Sequence, residues 1–245
     1  MTNQTKRDIR INGSGSSSGG VFNKVSINGD GTISGDVECN KFNTNGNSQV
    51  NGSIRAEYFS IHGSSDATGN VKADQVSVYG QCNVHGNLMA GELKLGGDVS
   101  VDRNLGAEHI KQYGSIHVRG NCEIENYSAK GGFQVDGLLN VGTLDLKLSW
   151  PSSASEIGGE RIIIRKSTGI DMAIKSLLRI FKVVPDAMLT ANVIEGDDII
   201  LESTKASIVR GNNIEIGPDC DIDRVEYRGT YSQSPNARVN SCVQI

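Results

Sequence analysis

The sequence predicts an all-β fold, a parallel β-helix wound as a triangular solenoid of 17-residue coils. Three observations predict it. A seventeen-residue step from Val25 lands on Val25, Phe42, Phe59, Val76, Leu93, Ile110, Tyr127 and Leu144 without an insertion. Glycine recurs at one phase of that step, at Gly29, Gly46, Gly63, Gly80, Gly97, Gly114 and Gly131. Between the glycines, apolar and polar residues alternate in short runs. A fixed short period means that each repeat is one coil stacked on the next. Glycine at a fixed phase marks a corner, and period-two alternation marks a strand with one buried face.

The remaining columns fill out one coil. A second corner runs through Gly35, Gly52, Gly69, Gly86, Arg103, Gly120 and Gly137, followed by Asp36, Ser53, Asn70, Asn87, Asn104 and Asn121. Asn and Asp side chains bond to nearby backbone, and stacked copies can ladder from coil to coil. Ile33, Val50, Ala67, Val84, Val101, Val118 and Val135 form one inward column, and Val37, Ile54, Val71, Leu88, Leu105, Cys122 and Leu139 another. Like residues would therefore stack along a thin core, with layers ~4.8 Å apart.

Along the chain, residues 1–8 read as a flexible N-terminus and 9–149 as regular β-helix. Its first coil, 9–24, is imperfect, since Ile9, Ile11 and Val21 match Val25, Ile27 and Val37 at sixteen rather than seventeen. Residues 150–188 read as an insertion: a strand, Arg161–Arg165, then a helix capped by Asp171 and stopped by Pro185. Ile174, Leu177, Leu178 and Phe181 form its apolar stripe, and Lys175, Arg179 and Lys182 a basic one. Such a helix packs over the solenoid, or meets a partner or an anionic membrane surface. Strands return over 189–227, at a slacker spacing, and 228–245 reads as a polar tail that frays.

Composition agrees with a solenoid. The 245 residues include 30 glycines and 4 prolines, and 37% are hydrophobic, low for a globular domain but adequate for a thin core. A net charge of −4 and a pI near 5.6 disfavour a nucleic-acid partner. Residues 1–10 contain no apolar run, so no secretory signal or membrane span is expected and the chain reads as cytoplasmic. Cys39, Cys82, Cys122 and Cys220 fall on apolar columns and Cys242 in the tail, which reads as reduced thiols rather than a metal set.

No catalytic, cofactor or metal residue is assigned. His62, His85, His109 and His117 occupy four different columns and read as isolated surface residues. Glu57, Asp74, Glu108 and Glu125 share one column, a solvated edge or, less favourably, a cation site. There is no hexapeptide period, no threonine array and no phosphate-binding glycine loop. An enzyme acting on a polysaccharide or acyl donor would have only that acidic column to use.

The glycine-cornered coils of 25–143 resemble the bactofilins, polymer-forming cytoskeletal proteins of bacteria. The stretch from Val209 to Tyr227 looks like the C-terminal part of the longer Bacillus-type forms. The resemblance implies a right-handed β-helix that polymerises end to end without nucleotide, and a scaffolding role in cell shape, envelope or motility-apparatus organisation. It implies no cofactor. Its partner would be itself as a homopolymer, a paralogous bactofilin, or a membrane touched peripherally. The short apolar N-terminal peptide common in that family is not present in residues 1–10.

Uncapped solenoid ends expose unpaired backbone groups that template another layer. Val21, Phe22 and Ile33 are expected near one end, and Ile222, Val225 and Tyr227 near the other. The alternative is a monomeric or heteromeric adaptor that binds a protein partner or the membrane surface through residues 150–188.

Overall fold

The computed structural model describes residues 6–167 and 187–245, and it divides into two compact units, Met1–Gly120 and Asn121–Ile245. Each is a parallel β-solenoid.

The proximal unit contains β1 (Ile9–Asn51), β2 (Ile54–Ala67), β3 (Val71–Val78), β4 (Gln81–Val84), β5 (Leu88–Leu95), β6 (Asp98–Val101), β7 (Leu105–Gln112) and β8 (Ser115–Val118). Two parallel stacks run through it, β1–β2–β3–β5–β7 and β2–β4–β6–β8. Every pairing from β1–β2 onward is offset by seventeen, from Val37 against Ile54 to Val101 against Val118. The sequence period is thus the hydrogen-bonding register itself.

Like side chains stack inside. Phe42 lies 5.3 Å from Phe59 between ring centroids, and Val25, Ile27, Ile33, Ile61, Val78 and Leu93 are fully buried. Burying each such side chain contributes about 1.5–3 kcal/mol. The core also holds a polar thread: Thr44 Oγ1 donates to Ser48 Oγ at 3.0 Å, and Ser48 Oγ to Ser65 Oγ at 2.9 Å.

Outside, the expected corner ladder is present. Asp36 Oδ1 accepts the Ser53 N–H at 2.7 Å, Asn70 Oδ1 the Asn87 N–H at 2.8 Å, and Asn87 Oδ1 the Asn104 N–H at 3.1 Å. The glycines of the other corner allow close backbone approach. A Cβ on Gly97 would lie 2.7 Å from the Gly80 nitrogen and run into its carbonyl oxygen.

The distal unit contains β9 (Cys122–Leu148), β10 (Ser152–Lys166), β11 (Leu189–Leu201), β12 (Thr204–Ile216), β13 (Asp221–Tyr227), β14 (Tyr231–Gln233) and β15 (Arg238–Gln244). They pair in parallel in the order β9–β10–β11–β12–β13–β15, with β14 on β12. Here the step varies: Leu144 pairs Ile162, Ile162 pairs Ile199, Ile199 pairs Ile214, Ile222 pairs Val239.

Two expected boundaries move. Residues 152–166, expected within an insertion, form β10, a coil hydrogen-bonded on one side to β9 and on the other to β11. Ile162 and Ile164 are fully buried in line with Leu144/Leu146 and Ile199/Leu201. A register shift between Ala154 and Glu156 disguises this coil in the sequence. The expected helix, with Ile174, Lys175, Leu177, Leu178, Arg179, Phe181 and Lys182, lies outside the described residues. At the other boundary, 228–245 does not fray but supplies β14 and β15.

Candidate self-association surfaces

The proximal unit starts with a layer that is already covered. Phe22 is fully buried, and the Arg7 guanidinium carbon lies 5.5 Å from its ring centroid. Ile11 is buried, and the Asn23 N–H donates to the Arg7 carbonyl at 2.9 Å. Of the three residues expected at this end, Val21 is 52% exposed and points outward, whereas Phe22 and Ile33 belong to the core. Phe22 stands seventeen before Cys39 while Ile9 stands sixteen before Val25, so the phase changes within the first coil.

The distal end differs. Ile222 and Val225, expected near this end, are fully buried under Val239 and Cys242 of β15. Tyr227 is half-buried and stacks on Tyr231 at 5.3 Å. Among the described residues the outermost layer is therefore β14 and β15. Cys242 is exposed, as are Val243 (41%) and Ile245 (55%), while Val239 is half-buried. Among the described residues no strand pairs with the outer side of β14 or β15.

This layer is pinned in place. Arg238 donates to both carboxylate oxygens of Asp221 at 2.7 Å, and Asn240 Nδ2 to Asp223 Oδ1 at 3.1 Å. The Arg238 hydrogen bonds hold the Asp221 carboxyl below the ordinary aspartate range. Sequence reasoning missed this layer because it is polar. The signal was present, since Val239 and Cys242 stand one seventeen-residue step beyond Ile222 and Val225.

The lateral surfaces carry two charged constellations. His85 spans three coils, with Nδ1 2.6 Å from Asp102 Oδ2 and Nε2 3.3 Å from Asp66 Oδ2, and Arg119 lies 3.2 Å from the other Asp102 oxygen. The Asp102 hydrogen bond raises the pKa of His85. His85 is thus not isolated, and His62 stacks on Tyr79 at 5.2 Å.

On the distal unit a groove of about 520 Å³ is floored by Gly158, Gly159, Gly196 and Gly211 and edged by Glu156, Glu160 and Asp197. Within it Arg210 bridges Glu195 at 3.2 Å and Glu226 at 2.6 Å, which holds the Glu226 carboxyl below its usual range.

Glu57, Asp74, Glu108 and Glu125 are each exposed. Among the described residues no group of three or more His, Cys, Asp and Glu is arranged to hold a metal ion, and no helix is long and apolar enough to cross a membrane.

The family model described as bactofilin, polymer-forming cytoskeletal, matches residues 2–89. The Bacillus subtilis protein YhbE is 59% identical over 236 residues, 96% of this chain and 97% of that protein. Bacillus subtilis YhbF is 36% identical over 104 residues, 42% of this chain and 40% of that protein. No solved structure matches.

Proposed function

We propose, from the premise that this chain belongs to the bactofilin family of polymer-forming cytoskeletal proteins, that it is a non-catalytic cytoplasmic scaffold. It self-associates by end-to-end stacking, without nucleotide. The observation that carries this reading is the outer layer of β14 and β15, whose strand edges and partly apolar residues Val239, Cys242 and Val243 face no further layer among the described residues. Stacking a second copy there would satisfy the strand edge and remove apolar surface from water. The contact residues are therefore those of β15, not Ile222 and Val225 beneath them.

A paralogous chain of the same fold, as YhbF stands to YhbE, fits the same layer as an alternative partner. Envelope and motility-apparatus organisation are the processes such a scaffold would serve. The adaptor reading rests on the basic and apolar stripes of residues 174–182, which suit a membrane surface or a protein groove.

The test is negative-stain electron microscopy of the purified chain without nucleotide, beside Val239→Arg/Cys242→Arg. Both positions lie in the last described layer, and the variant is compared only if it melts as the parent does. Filaments or sheets in the unmodified chain that disappear in the variant are expected. Discrete particles in both would overturn the reading and favour the adaptor.

A further inference from the structure

The seventeen-residue register places His62, Tyr79, Gly96 and Tyr113 in one outward column at a corner of the proximal unit. Asparagines precede them in that column, and Asn45 Nδ2 donates to Asn28 Oδ1 at 3.0 Å. The rings that follow have no comparable closure. His62 stacks on Tyr79 at 23° between ring planes. Tyr79 leans over the position where Gly96 lacks a side chain, since a Cβ there would lie 2.9 Å from Tyr79 Cδ1. Tyr79 remains 53% exposed and Tyr113 70%. Aromatic rings in line on a surface are costly to leave in water and are enriched at protein contacts.

The flanking rows are charged asymmetrically. On one side the register aligns Ser60, Ser77, Lys94 and Lys111. On the other it aligns Ser64, Gln81, Asp98 and Ser115. Lys94 has only an exposed contact to Glu92 at 3.2 Å, and Lys111 has no ion-pair partner among the described residues.

We infer that this edge is a lateral docking strip for a second copy of the same chain, with the two solenoids running in the same direction. A two-fold axis parallel to the strip sets Tyr79 against Tyr79 and Tyr113 against Tyr113, and it exchanges the two flanking rows. Asp98 of each copy then meets Lys94 of the other, with Lys111 one layer, ~5 Å, further along. The opposite arrangement, with solenoids antiparallel, would set the lysine row against itself and is opposed by like charge. The charge pattern therefore selects the direction, and the rings supply the contact. This side-by-side contact uses none of the residues of the distal layer, so it stands or falls apart from end-to-end stacking.

The experiment is sedimentation velocity across a concentration series, on the full chain carrying Val239→Arg/Cys242→Arg to block the distal layer. The edge-intact protein is expected to dimerise. Tyr79→Ser/Tyr113→Ser is expected to weaken the dimer roughly tenfold or more. Asp98→Lys is expected to abolish it, and combining Asp98→Lys with Lys94→Asp and Lys111→Asp to restore it. Tyr113→Ser alone, at the most exposed position, guards against a folding artefact, and all variants should melt as the parent does. A monomeric edge-intact protein, or a dimer that survives either the tyrosine or the Asp98 change, overturns the inference. In the chain with its distal layer intact the same variants should leave end-to-end assembly in place.

Discussion

The glycine corners offer a matched series in which two physical causes separate. Gly46 has φ +126°, and a Cβ there would lie 3.0 Å from the Gly29 nitrogen and run into the Gly29 carbonyl oxygen. Gly97 has no left-handed φ, yet its Cβ would sit 2.7 Å from the nitrogen and 2.9 Å from the carbonyl carbon of Gly80. Gly13 has φ +78° with nothing within 4 Å of its Cβ. Gly158 has neither problem, its nearest atom being Asn140 Oδ1 at 3.7 Å.

Forcing an L side chain into a glycine-only backbone region costs about 1–3 kcal/mol. Overpacking against atoms that cannot yield costs about 1–3 kcal/mol more. Gly46→Ala should therefore lose about 2–6 kcal/mol, and Gly97→Ala and Gly13→Ala about 1–3 each. Gly158→Ala should be neutral, or gain up to about 1 kcal/mol from a stiffer unfolded chain.

Because solenoids open in segments, urea unfolding should be read together with amide hydrogen exchange at each corner. The reasoning is refuted if Gly13→Ala loses as much as Gly46→Ala, or if Gly97→Ala lies within roughly 0.5 kcal/mol of Gly158→Ala.

Three further outcomes follow from named side chains. The folded pKa of His85 is raised by Asp102 and Asp66, so its contribution is fully present below the unfolded value and fades as pH rises through the folded one. His85→Gln should lower the melting temperature most below the ordinary histidine pKa and progressively less as pH rises above it; an equal loss at all pH values would disprove the coupling. Asn70→Ala removes the acceptor of the Asn87 N–H and should cost about 1 kcal/mol, whereas Asn70→Asp should keep the bond, as Asp36 does in the same column. Burial pushes the Cys39, Cys82 and Cys122 thiols to about 12 and Cys220 to about 11, while Cys242 is exposed. An alkylating agent near neutral pH should modify one of the five thiols of the folded chain, and mass spectrometry should place it at Cys242.

The proximal unit was legible because every ladder step equals the sequence period, so one alignment gives core, corners and register together. Legibility fails where the step changes. The shift between Ala154 and Glu156 hid β10, although Ile162 and Ile164 continue the Leu144/Leu146 columns. The polar composition of 228–245 hid β15, although Val239 keeps the phase of Ile222. Val21, matched to Val37 at sixteen, faces outward and Phe22 takes the core position, because a one-residue change of phase reverses which side faces inward. His85 was missed for a different reason. Comparing the histidines only with one another overlooked Asp102, one seventeen-residue step on in the same column, and Asp66, two positions off that column in the preceding coil. The buried thread Thr44–Ser48–Ser65 likewise joins two columns across a corner, which no single-column reading detects.

Order in the last layer decides whether the distal end can act as a template. An edge strand that frays must be fixed before a second copy can add to it, at ~1–2 kcal/mol of backbone entropy for each residue ordered. β15 is held beforehand by ladder bonds to β13 and by the fork of Arg238 on Asp221, which lowers the pKa of that carboxylate. Arg238 is 69% exposed and projects sideways onto its own chain. Removing it should thus impair assembly without deleting any contact to the incoming copy. Arg238→Ala should raise the concentration needed for assembly and reduce hydrogen-exchange protection across β15, leaving β11 and β12 protected. Arg238→Lys, which restores charge but not the two-pronged geometry, should recover only part of both. Unchanged assembly alongside a loosened β15 would show that the layer is ordered by the incoming copy rather than before it arrives, and the distal end would then associate by coupled folding instead of by templating.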